Sequence, residues 1–379
     1  MMSATSYFSD VPLISLWNEP ARVNYAGSKA KADVRDILKQ SGAIIYGLSE
    51  QDRGSLATEL RQIAQKIRNL PDSAIVVLQY PMRPTLAIPK SCQVNAHDVF
   101  NWIEPVLDAA EGTILIVHDL KSLQVLIYDV APSAEYVSEM RELERSLFRR
   151  SDVLIVHSPA MASVVTESYG IPGSKMVCLS MFDYLSSTSL SACHYIPSSS
   201  CQDTSIAIAG HLGRRNLINV ILRDLPQCEG LRYDLYGSLD NASFKKIDRP
   251  DVAYHGSIAA DELPLILCRN AHYGLIWGQL DQDELLYLQM VAPHKLSLYI
   301  RAGLAVIAPS GTYAGELVNE LGIGYAIESL GEILELLEGK CRSLLRLRQM
   351  MPSIENLQQK VNCGGHTRQA LEVALAKFQ

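Results

Sequence analysis

No run of about 18 apolar residues occurs in this chain, so no segment reads as a membrane-spanning helix. The amino terminus lacks a basic stretch followed by an apolar core, and the expectation is a chain without a secretory leader. Basic residues are not in excess: 34 Lys and Arg stand against 41 Asp and Glu, a formal net charge of −7. Residues 1–190 hold 17 of the bases and 21 of the acids, so both halves are acidic, which argues against a nucleic-acid binder. Paired cysteine spacing is missing too. Eight cysteines are scattered without a CxxC, which suits thiols in a reducing cytosol better than disulfides or zinc. No GxGxxG follows a first strand with an acid about 20 residues on, which speaks against a nicotinamide oxidoreductase. No internal repeat is found.

What is present is an alternation of short apolar runs and helical stripes. At 379 residues, two domains are expected. Residues 43–48, 74–78, 113–117, 153–156 and 176–179 are short runs rich in Ile and Val. Between them, Leu56, Leu60, Ile63 and Ile67 form one helical stripe, and Glu135 to Arg150 another. Strands alternating with helices predict a parallel α/β sheet. Periodicity is lost over 186–203, a Ser- and Cys-rich linker. It resumes with strands at 205–209, 232–236, 252–254 and 273–277, a helix from Asn216 and another over 261–269. The tail from Ser353 to Phe378 reads as one or two helices interrupted near Cys363–Gly364–Gly365, and the Cys363–His366 cluster lacks metal spacing. Two such domains create a cleft, and open α/β sheets bind ligands beyond the carboxyl ends of their strands.

The most informative stretch is 292–328. Pro293 suits the first position of a helix carrying Leu296, Tyr299 and Ile300 at helical spacing, with Gly303 closing it. Leu304 to Ala308 reads as a buried strand, Tyr313 to Leu321 as a helix stopped by Gly322, and Tyr325 to Ile327 as a further strand. His294 and Lys295 fall in the opening turn of the first helix, where amide groups and the macrodipole favour an anion. Gly210–His211–Leu212–Gly213–Arg214–Arg215 follows a strand, and its glycines and arginines suit a phosphate. Tyr236–Gly237–Ser238 and His255–Gly256–Ser257 repeat the pattern of strand, glycine and hydroxyl. Together these turns predict a phosphate-and-ribose site, although a helix that merely packs and ordinary glycine turns are the plainer alternatives. Asp281–Gln282–Asp283 reads as an exposed acidic loop rather than a Mg²⁺ chelate. In the first half, His118–Asp119 follows a strand; Asp119 would act as a base, bind a sugar hydroxyl, or cap the next segment. Asn24 to Lys29, with Gly27 and Ser28, reads as a loop opening a helix that lines the same cleft.

Several motifs then recur together in one order: AsnTyrAlaGlySerLysAlaLysAlaAspVal (24–34), LeuGlnTyrPro (78–81), ValHisAspLeuLysSerLeu (117–123), AspValLeuIleValHisSer (152–158), MetPheAspTyrLeu (181–185) and AlaProHisLysLeuSerLeuTyrIleArgAlaGlyLeuAlaValIle (292–307), continued by 322–330. In these the chain resembles the bacterial GT-B glycosyltransferases of the β-1,6-galactofuranosyltransferase family, which includes the glucosyltransferase acting on glycans of streptococcal serine-rich adhesins. It departs from the family pattern at His211, where Asn is common, and at Lys121, where an acid is common.

The resemblance implies two Rossmann-like domains facing across a cleft. Residues 1–185 would bind the acceptor, 186–203 link, 204–352 bind the nucleotide sugar, and 353–379 pack back toward the first domain. It implies transfer of a hexosyl group (galactofuranose, glucose or galactose) from a UDP-sugar to a saccharide in surface glycan or glycoprotein synthesis, with no cofactor and no metal. Gly210, Arg214, Arg215, Tyr236, Gly237, Ser257, His294 and Lys295 would hold UDP, and Asn24, Gly27, Ser28 and Lys29, with Asp119, would line the acceptor side; if the reaction inverts, Asp119 is the candidate catalytic base. A cytoplasmic homo-oligomer is expected, with peripheral contact at the inner membrane face left open. Two other readings use similar donor contacts: a non-catalytic partner subunit of another glycosyltransferase, and a nucleotide-sugar epimerase of the same architecture.

Overall fold

A computed structural model describes residues 11–17, 26–48, 53–82, 95–129, 132–188, 204–213, 217–239, 249–337 and 340–379. The chain divides into two compact units, one of residues 1–21, 31–180 and 367–379, the other of 22–30 and 181–366. Asn24, Arg214 and Arg215 lie outside the described residues.

The first unit is built on strands β1 (Leu13–Trp17), β2 (Ile44–Gly47), β3 (Ile75–Tyr80), β4 (Gly112–Val117), β5 (Val153–Val156) and β6 (Met176–Cys178). They form one parallel sheet in the order β2-β1-β3-β4-β5-β6. Helices α1 (Ala26–Gln40), α2 (Arg53–Arg68), α3 (Ala96–Leu107), α4 (Lys121–Tyr128), α5 (Ala134–Arg150) and α6 (Pro159–Tyr169) connect them. Every residue of β3, β4 and β5 is buried, as expected of parallel strands covered on both faces. The helix ends carry their own signals. Ser133 caps α5 by accepting from Tyr136 N–H at 3.1 Å, and Arg149 and Arg150 sit at its carboxyl end, where cations suit the dipole. Ser158 caps α6, Pro159 opens it, and Gly170 ends it in the left-handed region at φ 69°.

Strand β1 is absent from the sequence reading because Ser15 interrupts its apolar run. In the fold Ser15 is fully buried between β2 and β3. A buried polar network supports the carboxyl ends of β3 and β4. The Glu144 carboxylate accepts from Tyr80 O–H at 2.9 Å, Tyr169 O–H at 2.5 Å and Ser122 N–H at 3.1 Å. Burial raises its pKa, and the three donors partly offset that rise. The network fixes the first turn of α4, next to Asp119.

The second unit has strands β7 (Thr204–His211), β8 (Leu231–Ser238), β9 (Val252–Tyr254), β10 (Tyr273–Leu275), β11 (Ala305–Pro309) and β12 (Gly324–Ile327). Its helices are α7 (Leu217–Asp224), α8 (Leu263–Asn270), α9 (Gln282–Leu288), α10 (His294–Arg301), α11 (Tyr313–Leu321), α12 (Ile333–Leu337), α13 (Lys340–Asn362) and α14 (Gly365–Leu375). The sheet is parallel, in the order β12-β11-β10-β7-β8-β9. That is the Rossmann order, and it reverses direction between β7 and β10. The expected unit at 292–328 forms, but Pro293 is the N-cap of α10 rather than its first turn: its φ of −70° suits a helix and its ψ of 133° does not. Asp281–Gln282–Asp283, read as a loop, instead starts α9, with the Asp281 side chain accepting from Glu284 N–H. The tail breaks at Cys363–Gly364, where Gly364 has φ 77°.

At the reversal point a single side chain joins the diverging strands. Tyr299 of α10 lies against Gly274, where any added Cβ would overlap its ring. Its hydroxyl accepts from Ala209 N–H of β7 at 2.9 Å and donates to Leu275 C=O of β10 at 3.1 Å. Tyr299→Phe removes both bonds inside the core and should destabilise this unit by about 1–3 kcal/mol, the usual cost of stranding a buried polar group. Urea unfolding checks this; an unchanged midpoint would show that the bridge is energetically idle.

Candidate functional site

The site begins where β7 and β8 end. Gly210 and Gly237 are paired in register, with φ of 132° and 145°, values that L side chains rarely adopt. A Cβ on Gly237 would run into the Gly210 carbonyl oxygen. A Cβ on Gly210 would come within 2.7 Å of Lys295 Cε and 3.2 Å of its Nζ. The two glycines therefore let the strand ends close together and let the Lys295 ammonium lie across the end of β7. Lys295 itself stands in the first turn of α10, an eight-residue helix whose N-cap, Pro293, offers no side-chain cap. Burial lowers the Lys295 pKa, and the Glu284 carboxylate opposes that drop. A cation with poor access to water, beside the amide end of a helix, is matched to an anion.

Glu284 is a site component that sequence reading missed. It is buried, accepts from Leu280 N–H at 2.9 Å, and presses on Gly278 so closely that a Cβ there would meet its Oε2 at 2.8 Å. It stabilises the charge on Lys295 while holding the 278–284 turn. The surrounding acidic residues disguise it as part of a solvated loop.

A pocket surrounds this point, lined by Lys29, Tyr184, Gly210, Tyr236, Gly237, Ser257, His294 and Lys295 among others. Tyr236 forms part of the wall, its ring stacked on His255 with centroids 4.7 Å apart and planes 14° apart. His255 Nε2 in turn meets Asp234 Oδ1 at 2.7 Å, and buried Asp234 also accepts from Arg232 Nε at 3.0 Å and from the Ser205 hydroxyl. Burial pushes the Tyr236 phenol up to about 12, so it stays protonated at neutral pH. On the other side His294 stacks on Tyr184 at 4.9 Å, and Lys29 Nζ lies 4.8 Å from the centre of the Tyr184 ring. Burial, with the nearby Lys29 charge, pushes the His294 imidazole down to about 3. It is neutral at pH 7 and adds no cation to the pocket.

The fate of each expected residue is then plain. Gly210, Tyr236, Gly237, Ser257, His294 and Lys295 share one cavity. Lys29, assigned to the acceptor, lines that same cavity, and residues 22–30 belong to the second unit. Ser28 is buried in the first turns of α1, where Gly27 also lies. Asp119 is in the first unit, half-buried after β4; the N-cap position of α4 falls to Leu120 rather than to Asp119. Its neighbour His118 is buried, with Nε2 2.8 Å from Gln79 Oε1. Among the described residues no cluster of three or more His, Cys, Asp or Glu is placed to hold a metal.

Three histidines with strongly depressed pKa values give the protein an acid sensitivity. His157 and His294 are pushed down to about 3 and His366 to about 4, all mainly by burial. Because each binds its proton less readily when folded, its contribution is present above the unfolded value near 6.5 and is lost as pH falls toward the folded value. At pH 5 the cost is about 2 kcal/mol per histidine. Denaturant midpoints should therefore drop steeply between pH 7 and pH 5, and a flat profile would contradict the buried neutral state.

The site's frame is shared with known proteins. The glucosyltransferase 3-like N-terminal domain model matches residues 14–181, and the corresponding C-terminal domain model matches residues 206–374. Glucosyltransferase 3 of Streptococcus gordonii is 26% identical over 65% of this chain and 70% of its own length. The β-1,6-galactofuranosyltransferase WbbI of Escherichia coli K12 is 25% identical over 58% of this chain and 62% of its own. Among solved structures, sucrose-phosphate synthase from Thermosynechococcus elongatus superimposes with a TM-score of 0.60 at 11% identity, covering 97% of this chain and all of that one. At that identity the likeness is one of fold: two Rossmann-like units, the GT-B architecture.

Proposed function

This chain belongs to the glucosyltransferase 3-like family, and from that premise we propose that it transfers a hexosyl group from a UDP-sugar to a saccharide hydroxyl in bacterial surface glycan or glycoprotein synthesis. The observation that carries the reading is the Lys295 ammonium lying across Gly210, at the uncapped start of α10 and beside the reversal point of the second sheet. Such an arrangement suits a diphosphate, the group whose charge grows as the glycosidic bond to the donor breaks. Lys295 and the amide end of α10 stabilise that charge, with Arg214 and Arg215 as further cations, so the reaction needs no metal. Tyr236, Gly237 and Ser257 face the nucleoside. In an inverting reaction a carboxylate must take the acceptor proton, and Asp119, at the carboxyl end of β4 in the first unit, is assigned that role.

The described cysteines Cys178, Cys228, Cys268 and Cys363 carry thiols rather than disulfides, which fits a cytoplasmic setting. No helix among the described residues is long and apolar enough to cross a membrane. Association as a homo-oligomer and peripheral contact with the inner membrane face belong to the same proposal. The test is a UDP-release screen over UDP-glucose, UDP-galactose and UDP-galactofuranose with saccharide acceptors. Release that depends on an acceptor supports the reading. No release from any pair would favour a non-catalytic partner subunit, and epimer formation without acceptor would favour an epimerase.

A further inference from the structure

Lys29 stands in the amino-terminal part of the chain, yet it belongs to the second unit. Its Nζ donates to Leu185 C=O at 2.5 Å, lies 4.8 Å from the centre of the Tyr184 ring, and meets Asp261 Oδ1 at 3.5 Å. The ion pair is lopsided: the Lys29 side chain is only 12% exposed, whereas that of Asp261 is 66% exposed. A long pair with a well-solvated acid gains little, while the enclosed ammonium has lost much of its hydration. Two observations direct that charge toward the pocket. Lys29 lines the same cavity as Lys295, and its field helps depress the pKa of His294, the residue next to Lys295.

Asp261 is held at the rim by its own backbone. Its carbonyl accepts from Ser186 Oγ and Thr188 Oγ1, both at 3.0 Å, while Tyr184 O–H donates to Ala260 C=O at 2.8 Å. The same 184–188 segment carries the carbonyl that Lys29 grips. Lysine, carboxylate and pocket wall are thus tied to one strap.

Resting on the UDP-sugar reading above, we infer that Lys29 is a donor-side cation, not an acceptor ligand, and that Asp261 competes with the diphosphate for it. Binding of the nucleotide exchanges a weak, exposed carboxylate contact for a phosphate inside the pocket. Asp261 thereby sets donor affinity, holding it below what the two lysines alone would give.

Calorimetric titration of the full-length protein with UDP and with uridine tests this. Lys29→Ala should weaken UDP binding roughly tenfold or more, as loss of a charge-assisted contact does, and leave uridine binding unchanged. Asp261→Asn should tighten UDP binding roughly two- to fivefold, the scale of an exposed ion pair, and more so at low salt. In the Lys29→Ala background the Asp261→Asn gain should vanish. If Lys29→Ala leaves the UDP titration untouched and raises only the KM for acceptor, or if Asp261→Asn weakens UDP binding, the inference is wrong. Failure of the underlying reading looks different: the wild-type protein would then not bind UDP at all.

Discussion

Asp119→Asn lowers kcat by about 10²–10⁴-fold, the usual contribution of a positioned general base, while UDP affinity stays at the wild-type value. The expectation follows from where the residue stands. Asp119 follows β4 at the carboxyl end of the first sheet, half-buried, beside the hydrogen-bonded His118–Gln79 pair. The first turn of α4 is fixed by Ser122 N–H bonding to buried Glu144, so the carboxylate is carried on a turn with limited freedom. Asparagine keeps the shape and removes the basicity, which separates proton transfer from positioning. Acceptor KM should change little, and the loss should appear in single-turnover measurements as well as at steady state. A variant that turns over at wild-type rate would remove Asp119 from the mechanism and leave the donor site untouched.

Lys295→Ala weakens UDP binding by about 1.5–3 kcal/mol, roughly 10- to 150-fold. Three effects act in one direction. The diphosphate loses a charge-assisted contact, the pocket loses the cation that lies over Gly210, and Glu284 is left buried without the charge that accompanies it. Arginine at this position would keep the charge but not the fit, because the lysine chain crosses a glycine where a single added carbon already meets it at 2.7 Å. Lys295→Arg should therefore recover only part of the affinity. Burial lowers the Lys295 pKa, so UDP affinity should fall on the alkaline side at a lower pH than an ordinary lysine gives. In Lys295→Ala the part of that alkaline limb due to Lys295 should disappear.

Much of this architecture is visible in the chain before folding. The fully buried strands β3, β4, β5 and β11 are continuous apolar runs, and turn residues such as Gly170, Gly303 and Gly322 take the left-handed conformations their positions suggest. The Lys295 turn could be singled out because a lysine at a helix amino terminus is electrostatically out of place unless an anion joins it. What stays hidden depends on tertiary neighbours. Glu284 looks solvated among Asp281, Gln282 and Asp283, and only packing against Gly278 reveals it as buried. The Tyr299 bridge depends on two strand ends meeting a helix, which no local pattern encodes. Lys29 is legible as a pocket residue but not as part of the second unit, because sequence position places it among the first unit's segments.

On the reading proposed above, the second unit grips a diphosphate with Lys295 and the amide end of α10. The most direct measurement is a crystal structure of the full-length protein soaked with UDP. In that structure the diphosphate should lie within hydrogen-bonding distance of Lys295 Nζ and the first-turn amides of α10, with Gly210 and Gly237 beneath it. A nucleotide bound at full occupancy away from residues 294–295 would contradict that reading.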